Sequence, residues 1–310
     1  MGATTIEWAT DTWNLVAGCT RASTGCERCY AERQSQRLAN MGQQDYAGVT
    51  EDWRWTGVVK ELPHRLEQPL RWRKPRLVFV CSMADLFHPR VSNEFIAAVF
   101  GVMAQCPQHF FLLLTKRAER LPEWFAWSAQ RPGDGVTEWM RCTGYAFLKA
   151  CETFGIGDPR TARLGAAKPL DPDRPPWPLP NVGLGVTVEN LHQIGRVADL
   201  LACPAALRYV SCEPLLGPIP LRDYLPGIDW VIAGGETGPR TRPMHLPWAR
   251  QLRDQASSSD VPFLFKKRGN APRGTKPGDT EIRELDGVVY DEFPALVERR
   301  LGLAEEGAES

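Results

Sequence analysis

Apolar and polar residues alternate along this chain in a pattern that predicts a parallel sheet with helices between its strands. Continuous apolar runs at Leu77–Val80 and residues 110–114 are typical of strands buried on both faces. Between them, apolar residues recur at helical spacing over residues 95–106, with Ser92 in position to cap this helix and Pro107 to end it. Four further apolar runs follow at residues 182–188, 207–210, 229–233 and 261–265.

With a short first strand at residues 12–16, the pattern gives about seven strands, most of them followed by a helix. We therefore predict an α/β fold, a parallel and incomplete or distorted (β/α) TIM-like barrel. Residues 1–270 are assigned to the barrel domain, and residues 271–310 to a C-terminal extension with a hairpin turning at Asp286-Gly287 and a short helix. Residues 133–180 interrupt the alternation and are predicted to form an irregular insertion, a lid or a partner surface.

Polar residues gather directly after the apolar runs, where the predicted strands end. Because the carboxyl ends of parallel strands meet at one edge of a sheet, that edge is where ligands bind in such folds. A loop with three cysteines also follows the end of a predicted strand, so we expect it to share a cavity with these polar residues. They are Ser82, Asp85, Thr115, Lys116, Thr187, Glu189, Ser211, Glu213, Glu236, Thr237, Lys266 and Lys267.

Composition narrows the class of protein. The chain has 310 residues with 37 basic and 37 acidic side chains, so it lacks a global positive field for nucleic acid, and only local patches remain. It has no apolar run that could span a bilayer and no secretory signal at its start, so we expect a cytoplasmic protein without membrane partners. Nine cysteines, an odd number, favour reduced thiols and a metal over a disulfide framework.

The cysteine loop is the stretch with the clearest chemistry, because Cys19, Cys26 and Cys29 lie within eleven residues. Cysteines three apart at the start of a helix project onto one face, so their sulfurs can converge. Thiolates select zinc, Cu(I) or iron–sulfur clusters, and three of them leave a zinc, or one iron of a four-iron cluster, with an open position. The following helix is predicted over residues 30–41, with Ser23 or Thr24 available as its cap.

The residues around these cysteines resemble the signature of the phage Gp37/Gp68 (DUF5131-type) family, a three-Cys-motif group whose cluster is similar to that of radical SAM enzymes. The first blocks are Trp8, Trp13-Asn14, Gly18-Cys19-Thr20, Gly25-Cys26 and Cys29-Tyr30-Ala31-Glu32. The later blocks are Ser82-Met83-Ala84-Asp85-Leu86-Phe87-His88, Leu114-Thr115-Lys116-Arg117, Ser211-Cys212-Glu213-Pro214-Leu215 and Gly234-Gly235-Glu236-Thr237-Gly238.

The resemblance implies a cofactor. Cys19, Cys26 and Cys29 would hold a [4Fe-4S] cluster whose open iron binds S-adenosylmethionine, and reduction of that cofactor yields a carbon radical. The chain departs from the usual radical SAM motif in two ways. Six residues separate its first two cysteines where that motif has three, and its Gly-Gly-Glu element comes after about the sixth strand and not after the second.

The same resemblance supplies the remaining site candidates. The carboxylates would accept the ammonium group of the cofactor, and glycine backbone can approach a ligand closely. Lys116 would hold a carboxylate or phosphate, and Asp85 would orient a donor or transfer a proton. The candidate cofactor-binding residues are Glu213, Gly234, Gly235 and Glu236, and the candidate catalytic residues are Asp85, Lys116 and Cys212.

Three functions remain open on the sequence. The first is a radical-SAM-like enzyme acting on an unknown substrate, with DNA, RNA or a nucleotide as candidates. The second is a non-catalytic nucleic-acid-binding or partner protein stabilised by a cluster or by zinc, with His88 or another thiol as the fourth zinc ligand. Its phosphate contact would be Arg71, Arg73 and Lys74 of the run at residues 71–76. The third is a metal-dependent hydrolase that uses Asp85 or Glu213.

Overall fold

Seven parallel strands form one sheet in the order in which they occur in the chain, and the sheet curls into a half-barrel. The computed structural model describes residues 4, 6–129, 178–238, 241–269 and 283–302. The strands are β1 (Asp11–Trp13), β2 (Leu77–Val80), β3 (Phe110–Thr115), β4 (Val182–Thr187), β5 (Leu207–Cys212), β6 (Trp230–Gly234) and β7 (Phe263–Lys267). The prediction of an α/β fold with an incomplete parallel barrel is therefore confirmed, because β1 and β7 are edge strands that do not pair with each other.

Helices follow most of the strands. They are α1 (Tyr30–Asn40), α2 (Asn93–Gln105), α3 (Arg120–Ala129), α4 (Gly195–Leu201), α5 (Leu246–Ser257) and α6 (Ala295–Leu301). Ser92 caps α2 as predicted, since its side chain accepts a hydrogen bond from the backbone N–H of Phe95. The cap predicted for α1 is wrong: Cys29 occupies the N-cap position, and Ser23 precedes a separate 3₁₀ turn, Thr24–Cys26.

Short antiparallel pairs complete the described structure. Val16–Ala17 pairs with Lys60–Glu61, and Thr50–Glu51 pairs with Arg54–Trp55, so part of the region after α1 forms small hairpin-like additions. Glu284–Leu285 pairs with Val288–Val289 around Asp286 and Gly287, both at positive φ, which confirms the predicted hairpin. Residues 133–177 of the predicted insertion and residue 270, the proposed domain boundary, lie outside the described residues.

The two faces of the sheet pack against different parts of the chain. Val78, Val210 and other outward residues join the helices in one large core. Residues on the opposite face, inside the curl, form a second core with Trp8 from the N-terminal segment and Val297 from α6. The C-terminal helix therefore fills the inside of the half-barrel, where a closed barrel would have its own side chains. In the described part of the chain, no helix is long and apolar enough to span a membrane.

Gly185 in β4 leaves room for an aromatic ring on the neighbouring strand. A Cβ atom at this position would overlap the Tyr209 ring of β5, and both residues are buried. The glycine inside the strand is therefore explained by close packing within the inner core.

We predict that Gly185→Ala lowers the free energy of unfolding by about 1–3 kcal/mol, because the added methyl group must displace a fully buried ring. The matched control is Gly195→Ala at the start of α4, where a Cβ would meet nothing within 4 Å. Urea unfolding should show a loss for the first variant and no loss for the second. Equal stability of both variants would contradict this account of the inner core.

Candidate active site

A cavity of about 200 Å³ lies at the carboxyl ends of the strands, beneath the cysteine loop. The loop and the strand ends therefore share one cavity, as the sequence pattern predicts. Trp8, Phe79 and Leu114 supply apolar walls. The polar and thiol side chains that line the cavity are Cys19, Cys26, Cys29, Tyr30, Cys81, Ser82, Asp85, Thr115, Lys116, Arg117, Thr187, Ser211, Glu213 and Lys266.

Two glycines of the cysteine motif are required by the path of the loop. Gly18 has φ +88°, and a Cβ there would overlap the backbone carbonyl of Val58. Gly25 lies against the carboxylate of Glu189, and a Cβ there would overlap that carboxylate. The loop can therefore approach the sheet closely only because both positions lack a side chain.

Glu189, two residues beyond the end of β4, holds the centre of the cysteine loop to the sheet. Its side chain is 0% exposed and accepts hydrogen bonds from Ser23 of the loop, from Lys116 after β3, and from Arg196 of α4. Burial by itself raises the pKa of Glu189, but Lys116 and Arg196 outweigh it and hold the pKa below its ordinary value. The carboxylate is therefore ionised and joins three separate segments.

Asp85 and Arg117 hold the start of the same loop. Asp85 accepts hydrogen bonds from the Thr115 hydroxyl at 2.8 Å, from two backbone N–H groups, and from Arg117 at 3.0 Å. Arg117 in turn donates to the carbonyl and hydroxyl oxygens of Thr20 at 2.7 and 2.9 Å. His88 lies 2.8 Å from the same hydroxyl. The carboxylate predicted to be catalytic thus fixes the cation that positions Thr20, next to Cys19.

Two further ion pairs fix the outer side of the loop. Arg21 pairs with the buried Glu32 of α1 at 3.1 Å. Arg242 pairs with Glu236 after β6 and also donates to the Thr24 carbonyl at 2.9 Å. Side chains that follow β2, β3, β4 and β6 therefore all contact the loop, directly or through one intermediate residue.

The Cys19 and Cys29 thiols are protonated in the metal-free protein. Burial raises the pKa of Cys19 to about 12, although Arg117 lowers it. Burial also raises the pKa of Cys29, and the backbone N–H groups of Glu32 and Ala31 at the start of α1 oppose this rise. A metal that binds here must displace these protons, as coordinated thiols are deprotonated outright.

The fit of these thiols to a metal depends on the kind of centre. Among the residues described, no three Cys, His, Asp or Glu side chains are arranged to hold a single ion. A four-iron cluster takes its three thiolates on three different iron atoms, so it needs a wider spacing than one zinc ion does. The donor set on the cavity wall is four thiols, those of Cys19, Cys26, Cys29 and the buried Cys81. Because no three of the described side chains are arranged to hold a single ion, the wider spacing of a cluster fits these thiols better than one zinc does.

Glu213 and Lys266 form an ion pair in the cavity wall, with 2.8 Å between their side chains. The Trp8 indole N–H also donates to Glu213 at 3.3 Å. Burial by itself lowers the pKa of Lys266, but Glu213 outweighs it and raises the pKa above its ordinary value. Lys266 is therefore charged.

Four of the predicted site residues do not line this cavity. Cys212 points to the helix-covered core, because neighbours in a strand face opposite sides and Ser211 faces the cavity. Glu236 is occupied by Arg242 on the outside of the loop. A Cβ at Gly234 would lie 3.3 Å from Glu213, and one at Gly235 would overlap the backbone of Arg268, so packing within the chain accounts for both glycines.

Sequence reasoning gave no role to three residues that matter in this geometry. Glu189 and Lys266 appeared among the polar residues after strands, but nothing in the sequence identifies their partners. Arg117 was named only as the neighbour of Lys116. Of the three, only Glu189 has a signal in the sequence that could indicate its role: it is an acidic residue directly after the apolar run at residues 182–188.

One comparison with known proteins gives a match. A family model described as a protein of unknown function, DUF5131, matches residues 3–294, which is nearly the whole chain. Neither the curated proteins nor the solved structures contain a match.

We predict that Glu189→Gln releases the cysteine loop. The neutral side chain leaves Lys116 and Arg196 without their carboxylate, at a cost of roughly 2–4 kcal/mol in unfolding free energy. In the metal-free protein, iodoacetamide should label Cys26 faster than in the wild type, as measured by mass spectrometry. The exposed Glu119→Gln serves as the matched control and should change neither quantity. Unchanged labelling of Cys26 would show that Glu189 does not hold the loop.

The ion pairs of Glu189 with Lys116 and Arg196 also predict that the stability of the protein depends on pH. Because the pKa of Glu189 is depressed in the folded state, its contribution is fully present above its ordinary value of 4.5 and is lost as the pH falls through the lower folded value. The difference in unfolding free energy between wild type and Glu189→Gln should therefore be largest near neutral pH and shrink in acid. Urea unfolding between about pH 7 and pH 3 measures it. If the difference in unfolding free energy grew as the pH fell, Glu189 would not be stabilised by these cations in the folded state.

Proposed function

The chain belongs to the DUF5131 family of proteins of unknown function, and we propose that it is a radical-SAM-like iron–sulfur enzyme that uses S-adenosylmethionine on an unidentified substrate. The observation that carries this proposal is the convergence of Cys19, Cys26 and Cys29 on one cavity at the carboxyl edge of a parallel half-barrel. When bound, a four-iron cluster with one open iron supplies one-electron reduction of S-adenosylmethionine.

The residues around the cysteines suit a centre bound through thiolates. Arg117 favours the thiolate form of Cys19, and Lys116 favours that of Cys29, although Asp85 and Glu189 are already paired with these two cations. Trp8, Phe79 and Leu114 add apolar wall to the same cavity, and charge interactions beside apolar surface are stronger than in bulk water. The predictions that Glu213 and Glu236 accept the ammonium group of the cofactor stay predictions, and both carboxylates already pair with cationic side chains.

The zinc alternatives have less support. His88 uses both ring nitrogens within the protein, with Nε2 2.8 Å from the Thr20 hydroxyl and Nδ1 accepting from the Arg90 N–H. It would have to break these bonds to complete a zinc site. A hydrolase would need a carboxylate that is free to act as a base. Asp85 instead accepts hydrogen bonds from four groups, and Glu213 from two.

The nucleic-acid-binding alternative concerns a different part of the surface. The basic run at residues 71–74 comes before β2, so it lies toward the amino edge of the sheet, while the cavity lies at the carboxyl edge. Arg71 is also paired with Glu67 at 2.6 Å. A phosphate contact at this run would therefore be separate from the cysteine loop, and no described contact connects the two.

We predict that the protein purified without oxygen is brown and contains about four iron and four sulfide ions per chain. Cys19→Ser, Cys26→Ser and Cys29→Ser should each lose most of this iron, because each removes one of three ligands. Cys203→Ser is the control: Cys203 is a buried free thiol that donates to the Asp199 carbonyl and is absent from the cavity wall.

The measurements are iron and sulfide content, the visible absorption spectrum, and cleavage of S-adenosylmethionine after chemical reduction. A colourless protein with one zinc ion per chain would overturn the proposal. Iron that survives replacement of Cys26 would show that the cluster, if present, is bound elsewhere.

A further inference from the structure

The charges in the wall of the cavity cancel one another before any ligand binds. Three cations line it, and each one is paired with a carboxylate: Lys116 with Glu189, Arg117 with Asp85, and Lys266 with Glu213. A phosphate or sulfate group needs cations that are not already neutralised, because paired cations have little attraction left for a further anion. The described wall therefore offers no unpaired cation to a phosphate group or another anion.

One polar group in the wall lacks a partner. The Ser211 side chain is 1% exposed, it lines the cavity, and its hydroxyl makes no hydrogen bond. Buried hydroxyls are nearly always hydrogen-bonded, so an unpaired one that faces a cavity indicates a bound group that the protein itself does not supply. Thr187, its neighbour in register on β4, adds a second hydroxyl to the same wall.

The wall next to Ser211 combines an acceptor and a donor with aromatic rings. Glu213 accepts, Lys266 donates, and Ser211 can do both, so the three side chains can match an edge on which donors and acceptors alternate. Trp8 and Phe79, whose ring centres are 4.5 Å apart, add flat apolar surface to the same cavity. Pockets that hold an extruded base combine hydrogen bonds to the base edge with aromatic or apolar walls.

We propose that this part of the cavity, formed by Ser211, Glu213, Lys266, Trp8 and Phe79, binds an uncharged nucleobase, presented as the base or its nucleoside and not through a phosphate. The proposal rests on the function proposed above, because it names the substrate class of the same cavity. Lys116 donates to Glu189, which holds the cysteine loop, and Arg117 donates to Thr20 of that loop. The base would therefore contact the first five side chains and not these two cations.

The test is isothermal titration of the anaerobically purified protein with adenosine, guanosine, cytidine, uridine and thymidine, and with their 5′-monophosphates. At least one nucleoside should bind, and its monophosphate should bind no more tightly. Ser211→Ala should weaken nucleoside binding roughly three- to tenfold, the effect of one lost hydrogen bond. Ser35→Ala is the matched control, because Ser35 is equally buried and also unpaired but does not line the cavity.

A second variant tests the charge argument separately. Glu213→Gln leaves Lys266 with only the more distant carboxylate of Glu7, at 3.9 Å, so the monophosphate should gain affinity relative to the nucleoside. The proposal is overturned if no nucleoside binds or if the wild type prefers monophosphates tenfold or more. It is also overturned if Ser211→Ala leaves nucleoside affinity unchanged, or if the zwitterion L-methionine displaces the bound nucleoside. Iron content and cleavage of S-adenosylmethionine are measured on the same preparation. Iron without nucleoside binding defeats this inference alone, and nucleoside binding without iron defeats the proposed function alone.

Discussion

The rest of the site depends on one buried carboxylate, that of Glu189, which holds the cysteine loop in place. A loop with three thiols and two glycines has little tendency to hold one shape, since its residues give up conformational entropy when they are fixed. Glu189 compensates by binding Ser23 from the loop while it is itself held by Lys116 and Arg196. A carboxylate without water is tolerated only with such partners. The position of the cysteines thus depends on charges from two other strand–helix units.

The rest of the loop follows the same arrangement. Thr20 is fixed through Arg117, Arg21 through Glu32, and Thr24 through Arg242. Polar residues of the motif alternate with the cysteines, and each polar residue reaches a different partner. The thiols are left facing the cavity as a result, because the side chains between them are committed elsewhere. This arrangement explains why the motif contains polar residues that contribute no ligand.

The sequence predicted the sheet, its order along the chain and the shared edge of cysteines and polar residues, because each of these follows from local periodicity. It failed where a side chain's partner is set by tertiary structure. The role of Glu189 depends on Lys116 and Arg196, which are distant in sequence, and no spacing identifies them. Cys212 could have been excluded, since strand alternation places it opposite Ser211 and Glu213. Gly234 and Gly235 resembled a ligand contact but serve packing against β7 and the residues after it.

The inner core has a consequence for how the protein is made. Trp8 and Val297 lie in one cluster, so the two ends of the described chain meet inside the sheet. The cysteine loop is synthesised before Lys266 and α6, which lie more than two hundred residues further along the chain. Chains emerge from the N-terminal end at roughly 5–20 residues per second, so the thiols wait for many seconds without the wall that completes their cavity. A shortened chain that lacks α6 would therefore present the same three thiols over an unfinished interior, and the proposed cluster would be inserted only after α6 is made.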